Sequence, residues 1–196
     1  LYQPLASLYI ELGKPNEAIA NIGKMTGLEI SDAVKARNYA ILGRAYYTDE
    51  QYQNAVNAFK KSLELNPDQP LVSVRYARAL RNNGNVKGSI TELENLLKTN
   101  PNYKPAVCTL ASVYNKAGNY QKATTLAKSA GEGNEITWEN IDCLSILGKI
   151  YFSQNDMKNA KYYLESYLSN LDKLKLIGPE YSQVRLETES LLAKIK

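Results

Sequence analysis

Histidine is absent from this chain, cysteine, methionine and phenylalanine occur only twice each, and tryptophan occurs once. The lack of histidine removes the commonest general base and the commonest zinc ligand together. Cys108 and Cys143 form neither a CxxC pair nor a metal-ligand spacing. They read as packing residues on helices rather than as a disulfide, and they leave the compartment open between cytoplasm and bacterial periplasm. No G-x-G-x-x-G, G-x-x-x-x-G-K-[ST] or G-x-S-x-G stretch occurs. No apolar run approaches the roughly 18 residues of a membrane span. The carboxylates are scattered over helical stretches that read as solvated faces. Together these absences disfavour an enzyme and lead us to expect no cofactor, no metal and no small-molecule substrate. The chain starts at Leu1 rather than at methionine, which reads as a soluble fragment or a processed product.

What is present is ordinary for a globular protein, with 44% hydrophobic and 22% charged residues. The net charge of +4 falls short of the strong basic excess of duplex binders. Fifteen tyrosines and a cluster of arginines would suit a single-stranded nucleic acid. Most of those tyrosines fall at packing positions, however, so nucleic acid is a disfavoured partner.

Internal periodicity is the strongest feature. "NPDQP" at 66–70 recurs as "NPNYKP" at 100–105, placing Pro67 and Pro101 34 residues apart. In "YAILGRAYYTDEQYQNAVNAFKKSLELNP", Tyr39 is followed by Leu42, Gly43, Tyr46, Ala55, Phe59 and Pro67. Looser copies keep Gly84 and Pro101; Leu110, Ala111, Tyr114, Gly118 and Ala123; Leu147, Gly148, Tyr151 and Ala160; and Leu5, Ala6, Tyr9, Gly13 and Ala18. This spacing resembles the tetratricopeptide repeat (TPR), W-x2-L-G-x2-Y, then A-x3-F, then P. Tyr39 stands where that pattern has Trp.

The resemblance implies an all-α fold, a right-handed α-solenoid of about five helix-turn-helix units. They would fall near 1–32, 36–69, 70–103, 104–137 and 141–174, followed at 178–196 by a capping helix or a truncated sixth unit. Gly84 and Gly118 can supply the tight turn between paired helices, and Pro70 and Pro105 suit a first helical turn. Two junctions run long: Tyr9 to Tyr46 and Tyr114 to Tyr151 are each 37 residues. They contain "MTGLEIS" and "SAGEGNEITWEN" and read as lengthened turns, ahead of a partner-binding loop around Trp138.

In "SVRYARALRNNG", Arg75, Arg78 and Arg81 lie three apart, half of the six arginines in the chain. At about 100° per residue, Tyr39, Leu42, Gly43 and Tyr46 share one side of their helix. Arg37, Ala40, Arg44 and Tyr47 form a second stripe. Its continuation is Leu71, Val74, Arg78 and Arg81, then Pro105, Cys108, Ser112 and Asn115, then Asp142, Ser145, Lys149 and Phe152. In the TPR family the first helix of each unit lines a concave groove, so the resemblance implies that this stripe faces the groove. Five cations against one anion make it basic. The residues expected to meet a partner are Arg37, Arg44, Tyr47, Arg75, Arg78, Arg81, Asn82, Asn115, Lys116, Lys149 and Phe152. Arginine suits fork-like recognition of carboxylates, so the expected partner is an acidic or carboxylate-bearing protein segment. Some family members grip a chaperone's C-terminal carboxylate with Lys, Asn and Arg on successive first helices. Here that pattern falls on Gln3, Ser7, Ile41, Leu71 and Arg75, of which only Arg75 matches. The alternative expectation is a structural protein that self-associates head to tail through the ends of its array.

Overall fold

The computed structural model describes residues 2–25, 31–133 and 135–195. Among them are eleven helices and no strand. The helices are α1 (Tyr2–Glu11), α2 (Pro15–Gly23), α3 (Asp32–Thr48), α4 (Tyr52–Leu65), α5 (Pro70–Asn82), α6 (Val86–Thr99), α7 (Lys104–Lys116), α8 (Tyr120–Gly131), α9 (Ile141–Ser153), α10 (Met157–Lys173) and α11 (Pro179–Leu192). Successive helices pack as hairpins, α1 on α2, α3 on α4, α7 on α8 and α9 on α10. The chain divides into two compact units, Leu1–Glu92 and Leu93–Lys196, and the division falls inside α6.

Five hairpins turn in one way. The residue four past the motif tyrosine position always has positive φ: Gly13 (68°), Glu50 (58°), Gly84 (87°), Gly118 (78°) and Asn155 (62°). The next amide then reaches back to the carbonyl at the tyrosine position, as Lys14 to Tyr9, Gln51 to Tyr46, Asn85 to Leu80, Asn119 to Tyr114 and Asp156 to Tyr151, at 2.8–2.9 Å. This is the six-to-one bond of a left-handed helix stop, which satisfies a carbonyl the helix leaves open. Glycine supplies that conformation cheaply at three of the five positions. The following helix starts at once, with Asn119 accepting from the Lys122 amide and Asp156 from the Asn159 amide.

In the first unit, Ala6, Ile10, Ala18, Ile22, Ile41, Leu42, Ala45 and Ala58 close one apolar cluster, with Tyr9, Tyr39 and Tyr46 against it. Ala55, Val56, Phe59, Val72, Ala79 and Leu80 form a second. Close helix approach depends on small residues. A Cβ on Gly43 would lie 2.6–2.9 Å from three ring atoms of Phe59. The alanine after each turn (Ala18, Ala55) is fully buried. Where the third copy has Ser89 instead, its hydroxyl donates to the Ala77 carbonyl at 2.7 Å, so the polar group is satisfied without water.

In the second unit one cluster runs through Ala111, Ala123, Ala127, Ile141, Leu144, Leu147, Ile150, Tyr163, Tyr167 and Leu171. Gly148 meets Leu164 as Gly43 meets Phe59, with a virtual Cβ 2.5 Å from Leu164 Cδ2. The cysteines depart from the sequence expectation. They are joined to each other, Cys108 on α7 to Cys143 on α9, with Cα atoms 5.1 Å apart. The two first helices of this unit lie side by side, so residues a repeat apart in sequence become neighbours in space.

Of the two lengthened junctions, residues 26–30 of the first lie outside the described residues. The second is organised by Asn140, which is fully buried. Its Nδ2 donates to the Ala130 and Glu135 carbonyls at 2.9 and 3.0 Å, and its Oδ1 accepts from the Thr137 amide at 2.8 Å. Trp138 stands out from this turn, 50% exposed. α11 packs on α9 and α10.

Candidate partner-binding site

Within each unit a first helix packs on its own second helix, on the preceding second helix and on the next first helix. The last of these meets the stripe read from the sequence. Counted from the tyrosine position, the residue six before it on one first helix meets the residue eight before it on the next. Gln3 Nε2 thus donates to Asn38 Oδ1 at 2.6 Å across α1 and α3, and Cys108 bonds Cys143 across α7 and α9. The stripe therefore runs along the edge between a helix-helix seam and the open face. Three of its members, Val74 (1%), Cys108 (0%) and Ser145 (3%), are closed to solvent, and Cys108 lies in the seam between α7 and α9. Pro105 is buried as well.

The first unit holds most of the expected partner-binding residues. Arg37 is exposed; Arg44, Tyr47, Arg75, Arg78, Arg81 and Asn82 are half-buried. Three of these are brought together across α3 and α5. Asn82 Nδ2 donates to Tyr47 Oη at 3.0 Å, and Arg81 Nε donates to Asn82 Oδ1 at 3.1 Å. Tyr47 also meets the ring of Tyr52 edge-on, with centroids 5.6 Å apart. Burial, with Glu50 and Tyr47 adding to it, holds the Tyr52 phenol above its ordinary range. The head groups of Arg81 and Asn82 are thus oriented in advance by their neighbours, and ordering them on binding costs less.

The second unit holds the remaining four. Asn115 and Phe152 are half-buried and Lys116 is exposed. Lys149 is engaged: its Nζ lies 2.7 Å from Glu187 Oε2 on α11. A polar cluster joins the C-terminal end of α8 to α9 and α10. Tyr163 donates to Glu132, Tyr151 stacks on Tyr163 with centroids 5.5 Å apart, and Lys128 sits 5.9 Å from the Tyr151 ring centroid. Burial first, then Glu132, pushes the Tyr163 phenol up. Its members come from separate helices with no shared spacing, so no linear pattern signals it. No group of three or more His, Cys, Asp or Glu able to hold a metal occurs among the described residues, and no described helix is long and apolar enough to cross a membrane.

Helical hairpins repeated with one turn geometry define a helical-repeat array. Its hairpins are similar to tetratricopeptide repeats. The family model for the tetratricopeptide repeat matches residues 46–110. Human tetratricopeptide repeat protein 13 is 29% identical over 114 residues, covering 58% of this chain and 13% of that protein. The peroxisomal targeting signal receptor of Kluyveromyces lactis is 27% identical over 120 residues, covering 61% of this chain and 20% of the receptor. The chain thus spans a fifth or less of either relative. The crystal structure of a thermophilic TPR protein of Thermus thermophilus shares the fold, with TM-score 0.74 and 16% identity over 98% of this chain and 97% of that one. A fold of this kind is consistent with a protein-protein interaction scaffold.

Proposed function

We propose that this array is a non-enzymatic binding module that takes an acidic or carboxylate-bearing protein segment along the first helices of its first unit. The observation that carries the reading is the concentration of guanidinium groups on α3 and α5. Arg37 and Arg44 lie on α3, and Arg75, Arg78 and Arg81 on α5; all but Arg37 are half-buried, and Arg81 donates to Asn82, which donates to Tyr47. A partly desolvated arginine holds a carboxylate through two parallel hydrogen bonds and is worth more than a solvated one. The Kluyveromyces relative is named as a receptor for a targeting signal, which agrees with recognition of a protein segment. In the second unit, Lys149 meets Glu187 at 2.7 Å, which illustrates the chemistry on a helix of the same array.

The test uses fluorescein-labelled glutamate-rich peptides and their glutamine counterparts, titrated into wild type and into the triple variant Arg44→Ala, Arg78→Ala, Arg81→Ala. The reading requires binding of the glutamate series alone, weakened roughly 30-fold or more in the variant if a hot-spot arginine is among the three. Equal affinity of wild type and variant would remove it.

Head-to-tail self-association is the second reading, and one observation favours it. Tyr2 (48%), Leu5 (39%) and Leu8 (48%) stand exposed on α1, and Leu12 (60%) just past its end. At the place of Leu8, the later first helices carry Ala45, Ala79, Val113 and Ile150, all closed to solvent. Sedimentation velocity over a concentration series decides between the readings: a mass that stays monomeric removes the second.

A further inference from the structure

Both cysteines of the chain sit in one bond, Cys108–Cys143, and both are fully buried. They lie within the apolar cluster that includes Ala111, Ile141, Leu144 and Leu147. Their place in the repeat has an internal counterpart. Gln3 and Asn38 occupy the same two positions on α1 and α3, and there a hydrogen bond joins them. The two junctions that run 37 residues between tyrosines both carry a cross-link at this point. The shorter junction between α3 and α5 has Ala40 and Val72 there, packed in one apolar cluster.

We propose that Cys108–Cys143 is a permanent structural bond made as the chain folds, and that this array therefore works in an oxidising compartment. A redox switch has to be reached by its reductant, and sulfurs closed to solvent are not. The bond must accordingly form before the seam between α7 and α9 closes. Its formation is a thiol–disulfide exchange. The two thiols give up two protons and two electrons to the disulfide of an exchange catalyst, which departs as a dithiol. Such an oxidant prevails where disulfides persist, in the periplasm, the secretory lumen or outside the cell, and not in a reducing cytosol.

The experiment is alkylation of the chain recovered from the organism that makes it. Cells are quenched in acid, the protein is unfolded in guanidinium, and maleimide adducts are counted by mass. The expected result is no adduct without reductant and two after it; two adducts without reductant would overturn the compartment. Permanence is read separately from reduction by dithiothreitol. The folded chain should lose the bond at least about tenfold more slowly than the same chain in guanidinium, because the buried sulfurs are shielded from attack. Equal rates would overturn it. Neither readout requires a cysteine variant to fold.

Discussion

Gly43 and Phe59 are a single contact: residue 43 has no side chain because the ring of Phe59, 1% exposed, fills the space a Cβ would need. Gly148 and Leu164 repeat the relationship, where the Leu164 backbone nitrogen also lies 3.3 Å from the virtual Cβ. Gly43→Ala gains about 1 kcal/mol of helix propensity and forces overpacking that costs about 1–3 kcal/mol. With a rigid buried ring as the obstacle, the cost wins. Thermal unfolding should show a lower Tm for Gly43→Ala and partial recovery when Phe59→Leu is added. An unchanged Tm would mean that α3 and α4 are not held at this spacing.

Glu50 has a left-handed backbone at the one hairpin position where three other copies use glycine. Glu50→Gly removes the Cβ clash and should raise stability by about 0.5–1 kcal/mol. Asn155→Gly should gain less, because asparagine tolerates this conformation better. Paired urea melts of the two variants check both the sign and the order.

Asn140 closes the turn before α9, and Trp138 is the only tryptophan in the chain, so its fluorescence reports on that turn. Asn140→Ala leaves the Ala130 and Glu135 carbonyls and the Thr137 amide without this partner. A loss of about 1–3 kcal/mol follows, together with an altered acrylamide quenching of Trp138. Retained stability and unchanged quenching would contradict the role given to Asn140.

Glu92 is half-buried on α6, and burial holds its carboxyl above the ordinary value of 4.5 although Ser73 hydrogen-bonds to it. The folded chain therefore binds this proton more tightly than the unfolded chain. Stability falls as pH rises from 4.5 to the folded value and stays reduced above it. Glu92→Gln should raise Tm at neutral pH, and the difference should vanish when the pH is well below the usual carboxylate range. A variant with a constant offset at every pH would show that charge is not the cause.

Much of this architecture was legible because it repeats. Gly84 and Gly118 announced their turns, and Tyr39, Leu42 and Tyr46 announced the packing side. The arginine stripe was only half legible. A helical wheel shows which residues share a face but not where a third neighbour lies, so it groups Val74, Cys108 and Ser145 with Arg44 although they are closed to solvent. The disulfide was hidden for the same reason. Its signal was the register: Cys108 and Cys143 hold the same offset pair as Gln3 and Asn38, 35 residues apart. Glu187 on Lys149 had no signal, since α11 does not keep the repeat pattern.

The most direct measurement is a heteronuclear NMR titration of the labelled chain with a glutamate-rich peptide, following every backbone amide. The account predicts shifts concentrated on α3 and α5, centred on Arg44, Tyr47, Arg78 and Arg81, and lost at high salt. Shifts confined to α4 and α6, with α3 and α5 silent, would contradict it.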